Sequence, residues 1–479
     1  MRKLWSTVAI GVLAYIPLSV SAETLTDALI SAYRNSQLLE QNQAVLRAAD
    51  EDLAQAVGSL RPVLNWQATI AAQGAYYPAD VPRRGFSAAI PSGQTNYSSA
   101  STLELVASMP IWDFGRGHLN IELRNALVRA SQHSLVNVEQ QVLLDAVSTY
   151  VNMGLQGELV NAQEANVRLI TQDLRAAKDR FDVGEVTRTD VALAEAQLAS
   201  ANADLASAQG AYNIARETYK AKIGHYPSKM NGLPRVPVTA ATLAGARAIA
   251  LKTHPVILQS QEQATASELA VEVARAQMMP NITGRASLSQ QFTGDGGAAV
   301  FSGGTTGAIK ESVKITLNQT IYAGGQLSSG LRQQIANSQS AHAGLLQTVI
   351  NVDQAVGTAW SNILVANASI TAGDEQTRAA QAAYEGVKQE AELGSRTTLD
   401  VLDAEQNLLS ARSARLQAGA NLYVSRYQLL SAMGLLTAQH LHLGIPTFDP
   451  SAYLNAVKNA PATSGRGAKL DRILKTLGK

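Results

Sequence analysis

The chain has 479 residues and no cysteine, and its 39 basic residues nearly balance 38 acidic ones for a formal net charge of +1. So even a balance leaves no electrostatic footprint for nucleic acid. Without cysteine there is neither a disulfide framework nor a thiol for a lipid anchor, so packing and hydrogen bonds alone must hold the fold.

The N-terminus, MRKLWSTVAIGVLAYIPLSVSAE, sets Arg2 and Lys3 before an apolar run from Val8 to Val20 and the small residues Ser21 and Ala22. This is the pattern of a secretory signal peptide over 1–22, with a mature chain from near Glu23. A spanning helix needs roughly 20 apolar residues, and Pro17 breaks this run.

Internal similarity organises the rest of the chain. TLTDALISAYRNSQLL from Thr24 aligns with TLAGARAIALKTHPVI from Thr242 at an offset of 218, which Pro62 and Pro280 keep. PIWDFG (110–115) aligns with TIYAGG (320–325) at 210, as does Gly224 with Gly434. The chain reads as an internal two-fold repeat, 23–235 and 236–450. A segment over 451–479 comes after them, with six cations (Lys458, Arg466, Lys469, Arg472, Lys475, Lys479) and the acid Asp471. It reads as a solvated, flexible tail.

Each copy carries two stretches of period two. In the first, Trp66, Ala68, Ile70 and Ala72 alternate with Asn65, Gln67, Thr69 and Gln73, and Leu103, Leu105, Ala107 and Met109 alternate with Thr102, Glu104 and Ser108. In the second, Ile282, Ala286 and Leu288 alternate with Thr283, Arg285 and Ser287, and Val313, Ile315, Leu317 and Ile321 with Lys314, Thr316, Asn318 and Thr320. The spacing predicts strands over about 63–77, 99–112, 281–292 and 311–322. One apolar and one polar side per strand is the pattern of an outer-membrane barrel wall. Tyr76, Trp112 and Tyr322 sit at strand ends, where amphipathic rings suit a membrane interface. The connections 77–96 and 293–309 are rich in Gly, Pro and Ser and read as exposed loops. An open four-stranded sheet cannot sit in lipid with bare edges, so other copies of the chain must close the barrel.

Heptads mark the remaining length of each copy. Val191, Leu198, Leu205, Tyr212 and Tyr219 recur every seven residues, with Ala194, Ala201, Ala208 and Ala215 three positions on. Val401, Leu408, Leu422 and Leu429 repeat this beside Ala404, Ala411 and Ala418. Such stripes predict helices packed side by side with a left-handed twist. Long helices are expected over 116–182 and 326–391, about 100 Å each at 1.5 Å per residue, each turning into a second helix near 183–190 and 393–400.

The turns carry the polar residues of interest. VGEVTRTDVALAE (183–195) matches LGSRTTLDVLDAE (393–405), pairing Gly184 with Gly394, Asp190 with Asp400 and Glu195 with Glu405. On the residues alone, Asp190 and Asp400 are acids that favour a first helical turn by about 0.3–1 kcal/mol, and the glycines are turn residues. Asp400 and Asp403 face one side of a helix a turn apart. No nucleophile, histidine or phosphate loop accompanies them, so an enzyme is not indicated. His440 and His442 are too few to hold a structural zinc. No catalytic, cofactor-binding or metal-binding residue is assigned.

RFDVGEVTRTDVALAEAQL (180–198), LGSRTTLDVLDAEQNL (393–408), the PIWDFG and IYAGG junctions and the duplication together resemble the TolC family of outer-membrane channel-tunnels, from about Thr24 to Leu443. The resemblance implies an α+β membrane protein. A homotrimer would share one barrel, four strands per chain, continued into a periplasmic α-helical coiled-coil barrel. The chain would be a passive exit duct for protein or small-molecule cargo, working with a periplasmic adaptor and an inner-membrane transporter of ABC or RND type. Asp400 and Asp403 match positions that ring the closed end, where carboxylates select for cations. Arg396 matches a gate-closing arginine, with Thr189 and Asp190 as partners on the neighbouring hairpin, and Gly184 and Gly394 as adaptor contacts. The family's aromatic partner in that lock falls on Ala391. The alternative is a periplasmic coiled-coil adaptor or scaffold, which would show one hairpin between small β-domains.

Overall fold

The structure, a computed structural model, describes residues 22–76, 95–237, 240–295, 306–446 and 448–458, with the backbone alone at 96–98, 293–295 and 306. The segment up to residue 21, read from the sequence as a signal peptide, most of both strand connections (77–94 and 296–305) and the segment beyond 458 lie outside the described residues. The elements are α1 (Leu25–Asn35), α2 (Gln37–Gly58), β1 (Val63–Tyr76), β2 (Thr95–Trp112), α3 (Arg116–Asp182), α4 (Arg188–Ile223), α5 (Leu243–Thr253), α6 (Pro255–Ala276), β3 (Asn281–Asp295), β4 (Thr306–Asn318), α7 (Gln326–Glu392), α8 (Thr398–Ala432) and α9 (Pro450–Val457). One series, two helices, two strands, a 67-residue helix and a shorter helix, thus runs twice along the chain.

The chain divides into two compact units. The first gathers Met1–Glu40, Asn137–His254 and Val352–Thr447. Its described elements are helical, and their buried faces follow the sequence stripes. Helix α1 buries Leu25, Ala28, Leu29 and Ala32, one side of a 3.6-residue period. Helix α4 buries Ala194, Ala201, Ala215 and Tyr219, and α8 buries Val401, Leu408, Ala411, Ala418 and Leu429. Two residues past the end of α8 stands Gly434, whose φ is 76°. A Cβ there would lie 2.7 Å from His254 Cα, so both the torsion and the space require glycine.

Glu23 holds the start of the described chain in this unit. It is buried, with Ser228 N and Oγ both donating to Oε2 at 3.1 Å and the Tyr219 hydroxyl donating to Oε1. Its backbone N donates to Lys229 O at 2.8 Å, and its carbonyl accepts from Asn231 N at 2.9 Å and from the Tyr150 hydroxyl at 3.0 Å.

The second unit gathers Gln41–Val136, Pro255–Asn351 and Phe448–Lys479. It holds one antiparallel sheet in the order β1-β2-β3-β4. Residues facing each other across the strands share a side of the sheet. Trp66 pairs with Leu105, which pairs with Leu288; Leu64 pairs with Ala107, then Ala286, then Val313. The neighbouring rows run Gln67, Glu104, Ser289, Lys310 and Thr69, Thr102, Gln291. One face is therefore mostly apolar and exposed, with Trp66, Ile70 and Val313 all open to solvent in the single chain and Gln290 and Glu311 as polar breaks in its rows. On the other face Arg285 Nη2 donates to Glu104 Oε1 at 3.2 Å. The register shifts between Pro110 and Trp112, where proline has no N–H to give a ladder.

Several boundaries differ from the sequence reading: β2 begins at Thr95 rather than 99, and β3 runs to Asp295 rather than 292. Strand β4 begins at Thr306 and ends at Asn318, leaving Ile321 and Tyr322 beyond it, because Gly324 and Gly325 take positive φ (58° and 86°) and turn the chain into α7. The segment read as a flexible tail from 451 begins as helix α9. Asp449 accepts from Ser451 N at its N-terminus, Val457 is buried and the Tyr453 hydroxyl donates to Glu51 Oε1 at 2.7 Å. Apolar side chains at 453, 454 and 457 give this stretch a face to bury.

Candidate functional site at the hairpin ends

The first hairpin, α3 with α4, and the second, α7 with α8, turn by the same local chemistry. Gly184 takes φ 81° and its N donates to Phe181 O at 3.0 Å, while Glu185 N reaches Arg180 O at 2.9 Å. Gly394 takes φ 79°, with Gly394 N on Ala391 O at 3.1 Å and Ser395 N on Glu390 O at 2.9 Å. These paired bonds satisfy the last carbonyls of each long helix, and the left-handed torsion favours glycine. The chain re-enters a helix three residues later. Thr187 Oγ1 accepts from Asp190 N at 3.3 Å while Asp190 Oδ2 accepts from Thr187 N at 2.8 Å, and Thr397 and Asp400 do the same at 3.3 and 3.0 Å. Each aspartate thus closes a capping box. The bonds from Thr187 hold the Asp190 carboxyl below the usual carboxylate range, and those from Thr397 do so for Asp400.

The two hairpin ends line a half-open cavity of about 610 Å³. Asp190, Arg396, Thr397, Gly394 and Ala391 line it. Arg396 Nε donates to Glu390 Oε2 at 2.8 Å within its own hairpin, and Glu390 holds the guanidinium above its ordinary value. The structure therefore brings Asp190 and Arg396 to one cavity without joining them to each other in a hydrogen bond. Thr189, Gly184 and Asp403 are exposed at the same end, outside the lining. Asp400 is half-buried beneath its cap. Trp112 stacks edge-on against Phe114 with centroids 6.0 Å apart at the helix end of the sheet, and Tyr76 closes β1 at the other end. Tyr322, 87 % exposed, stands beyond β4.

Sequence reasoning missed a group just behind the cavity. Glu405, 3 % exposed, faces Asp173 of α3 and Lys388 and Tyr384 of α7. Burial, reinforced by the Asp173 carboxyl, pushes Glu405 up to about 8. Burial also raises Asp173, against the pull of Lys388. For Lys388, burial favours the neutral form, but Tyr384 and Asp173 outweigh it and hold the ammonium up. The available signal was position: Glu405 follows Ala404 of the heptad stripe, so it flanks the buried seam. Among the described residues no group of three or more His, Asp or Glu could hold a metal ion, and no helix is long and apolar enough to cross a membrane.

Comparison with known proteins agrees with this architecture. The model of a family described as "Outer membrane efflux protein" matches residues 29–225 and again 247–435. The chain is similar to the outer membrane efflux protein BepC of Brucella suis biovar 1 (strain 1330), 32 % identical over 446 residues that cover 91 % of each protein. It is 23 % identical to the outer membrane protein TolC of Escherichia coli (strain K12), over 94 % of this chain and 90 % of that one. In fold it resembles the crystal structure of the Campylobacter jejuni CmeC outer membrane channel, with a TM-score of 0.73, 18 % identity and coverage of 92 % of this chain and 90 % of the other.

Proposed function

Because the chain belongs to the outer membrane efflux protein family, outer-membrane channels rather than enzymes, we propose that it is the trimeric exit duct of a tripartite export system. In this reading three copies of the four-stranded sheet close one barrel, and the two halves of the chain are copies of one duplicated unit. A periplasmic adaptor and an inner-membrane transporter of ABC or RND type deliver protein or small-molecule cargo to the helical end. The observation that carries the reading is the sheet itself. Its strand register collects an exposed apolar face on one side and polar rows on the other, and β1 and β4 are left as open edges among the described residues.

The hairpin ends then form the periplasmic gate. Asp400 and Asp403 from three chains would present six carboxylates, a ring that attracts cations. Closing the gate through Arg396 requires it to exchange Glu390 for Thr189 and Asp190 of a neighbouring hairpin. Ala391 on the cavity wall supplies no aromatic ring to that lock, so the closed state is weakly held. The exposed turns at Gly184 and Gly394 are the adaptor's contact. An adaptor role for this chain itself has less support, since both hairpins adjoin strand pairs of a single sheet.

The test is single-channel current in a planar bilayer, comparing the native protein with the Asp400→Ala, Asp403→Ala double variant. Small cation-selective currents that grow and lose selectivity in the variant support duct and gate together. Currents indifferent to the change leave the duct and reduce the aspartates to helix caps. A monomer that never fractionates with outer membrane would sink the reading.

A further inference from the structure

We infer that the Asp173 and Glu405 carboxyls form a proton-binding latch between the two hairpins, holding their ends together while the pair shares one proton and loosening them when it is lost. Asp173 belongs to the first hairpin, nine residues before α3 ends, and Glu405 to the second, seven residues after α8 begins, so the pair ties the two about two turns back from the hairpin ends. Both Glu405 oxygens and Asp173 Oδ2 are sealed from solvent without a donor among the described residues. Two ionised carboxylates cannot donate to each other. A proton on one of them makes the missing hydrogen bond, and that bond crosses from α8 to α3.

The charge count at the site points the same way. The titratable groups that face Glu405 are Asp173 from α3 and Lys388 and Tyr384 from α7, and Lys388 also feels Glu392 at the end of its own helix. One ammonium therefore serves two buried acids. With one proton on the pair the site is neutral. Without it a net negative charge is sealed between helices, and burial makes that costly. Asp173 and Lys388 also line the cavity, which gives the proton a route from the pair to solvent past Asp173. The raised value of Glu405 puts the switch near pH 8. Only the consequence for transport depends on the channel reading.

The experiment uses the whole protein purified in detergent. Infrared titration follows the carbonyl stretch of protonated carboxyl groups from about pH 5 to about pH 9. The native protein should lose a band with a midpoint near 8 that Glu405→Gln lacks. Asp173→Asn should move the midpoint down by about one unit, and Lys388→Met should move it up. A purely structural role would not shift the midpoint in opposite directions. If Glu405→Gln fails to assemble, the other two variants carry the test.

The chain has no cysteine of its own, so Val183→Cys with Leu393→Cys takes two spin labels at exposed hairpin-end sites. The label spacing should widen above the midpoint and stay constant with pH when Glu405→Gln is added. Absence of the titrating band overturns the proton site, and a titrating band with constant spacing overturns the latch. Neither readout needs a pore, so a protein that passes both yet conducts no current loses the channel reading and keeps the latch.

Discussion

Lys178 Nζ lies 2.8 Å from Glu195 Oε1, an exposed ion pair that ties α3 to α4, and 210 residues later the same residue types stand as Lys388 and Glu405. There the glutamate is sealed from water and an intruding Asp173 competes for the lysine. One pattern thus has two energetic fates. A solvated pair contributes about 0–1 kcal/mol, whereas a buried acid with too little counter-charge takes up a proton.

Stability should therefore depend on pH through Glu405. The unfolded chain releases this proton near 4.5 and the folded protein near 8. The advantage of the folded state is full below 4.5, and it falls away as pH rises through about 8. Glu405→Gln should raise the thermal midpoint at about pH 8, equivalent to roughly 4 kcal/mol, and change it little at about pH 4. Glu195→Gln should shift it by less than about 1 kcal/mol at either pH. Equal effects of the two substitutions would refute the contrast.

The capping boxes predict where the hairpins fray. Thr187→Ala and Thr397→Ala should each cost about 1 kcal/mol, read as faster amide exchange in the first turn of α4 or α8 and nowhere in the sheet. Bonds from Thr397 keep Asp400 ionised below the usual carboxylate range. What that carboxylate contributes is present above its unfolded value of 3.8 and is lost only as pH falls through its lower folded value. In a channel carrying Asp403→Asn, cation selectivity should thus persist from about pH 6 to about pH 4. A collapse of the reversal potential over that range would remove Asp400 from the selectivity ring.

Glycines in the left-handed region should differ sharply in tolerance. At Gly394 a Cβ meets nothing within 4 Å, so Gly394→Ala carries only the torsional cost of about 1 kcal/mol. At Gly434 a Cβ meets the backbone of His254 at 2.7 Å. Gly434→Ala should abolish the folded protein in outer-membrane fractions, and Gly394→Ala should leave its yield near native.

The two faces of the sheet should respond differently to charge. Ile70→Lys places an ammonium on the apolar face and should oppose insertion by about 2–4 kcal/mol at mid-membrane depth. Thr69→Lys, one residue away on the polar face, should insert normally. Heat-modifiable mobility of the assembled protein on gels distinguishes them, and equal loss in both would speak against the barrel orientation.

Much of this was legible in the sequence because it rests on period. Two-residue alternation named the strands, and their register set Trp66 beside Leu105 and Leu288. Seven-residue stripes named the sides of α4 and α8 that Ala201 and Leu408 bury. The glycine and threonine-aspartate spacing gave both turns. Alternation failed at Ile321 because it persists in sequence past the residue where β4 ends. It could not reveal Asp173 beside Glu405, since 232 residues separate them and no local pattern records which acid a packed helix will meet.

The grip on Glu23 constrains the order of biogenesis. Its partners, Tyr150, Tyr219, Ser228 and Asn231, lie as much as 208 residues farther along the chain. A chain exported from its N-terminus must therefore hold its leading segment unpaired until nearly half its length has crossed the inner membrane. Contacts so distant in sequence form slowly, and the waiting segment carries the apolar face of α1. Holding chaperones should engage this segment first, and should release it when residue 231 arrives.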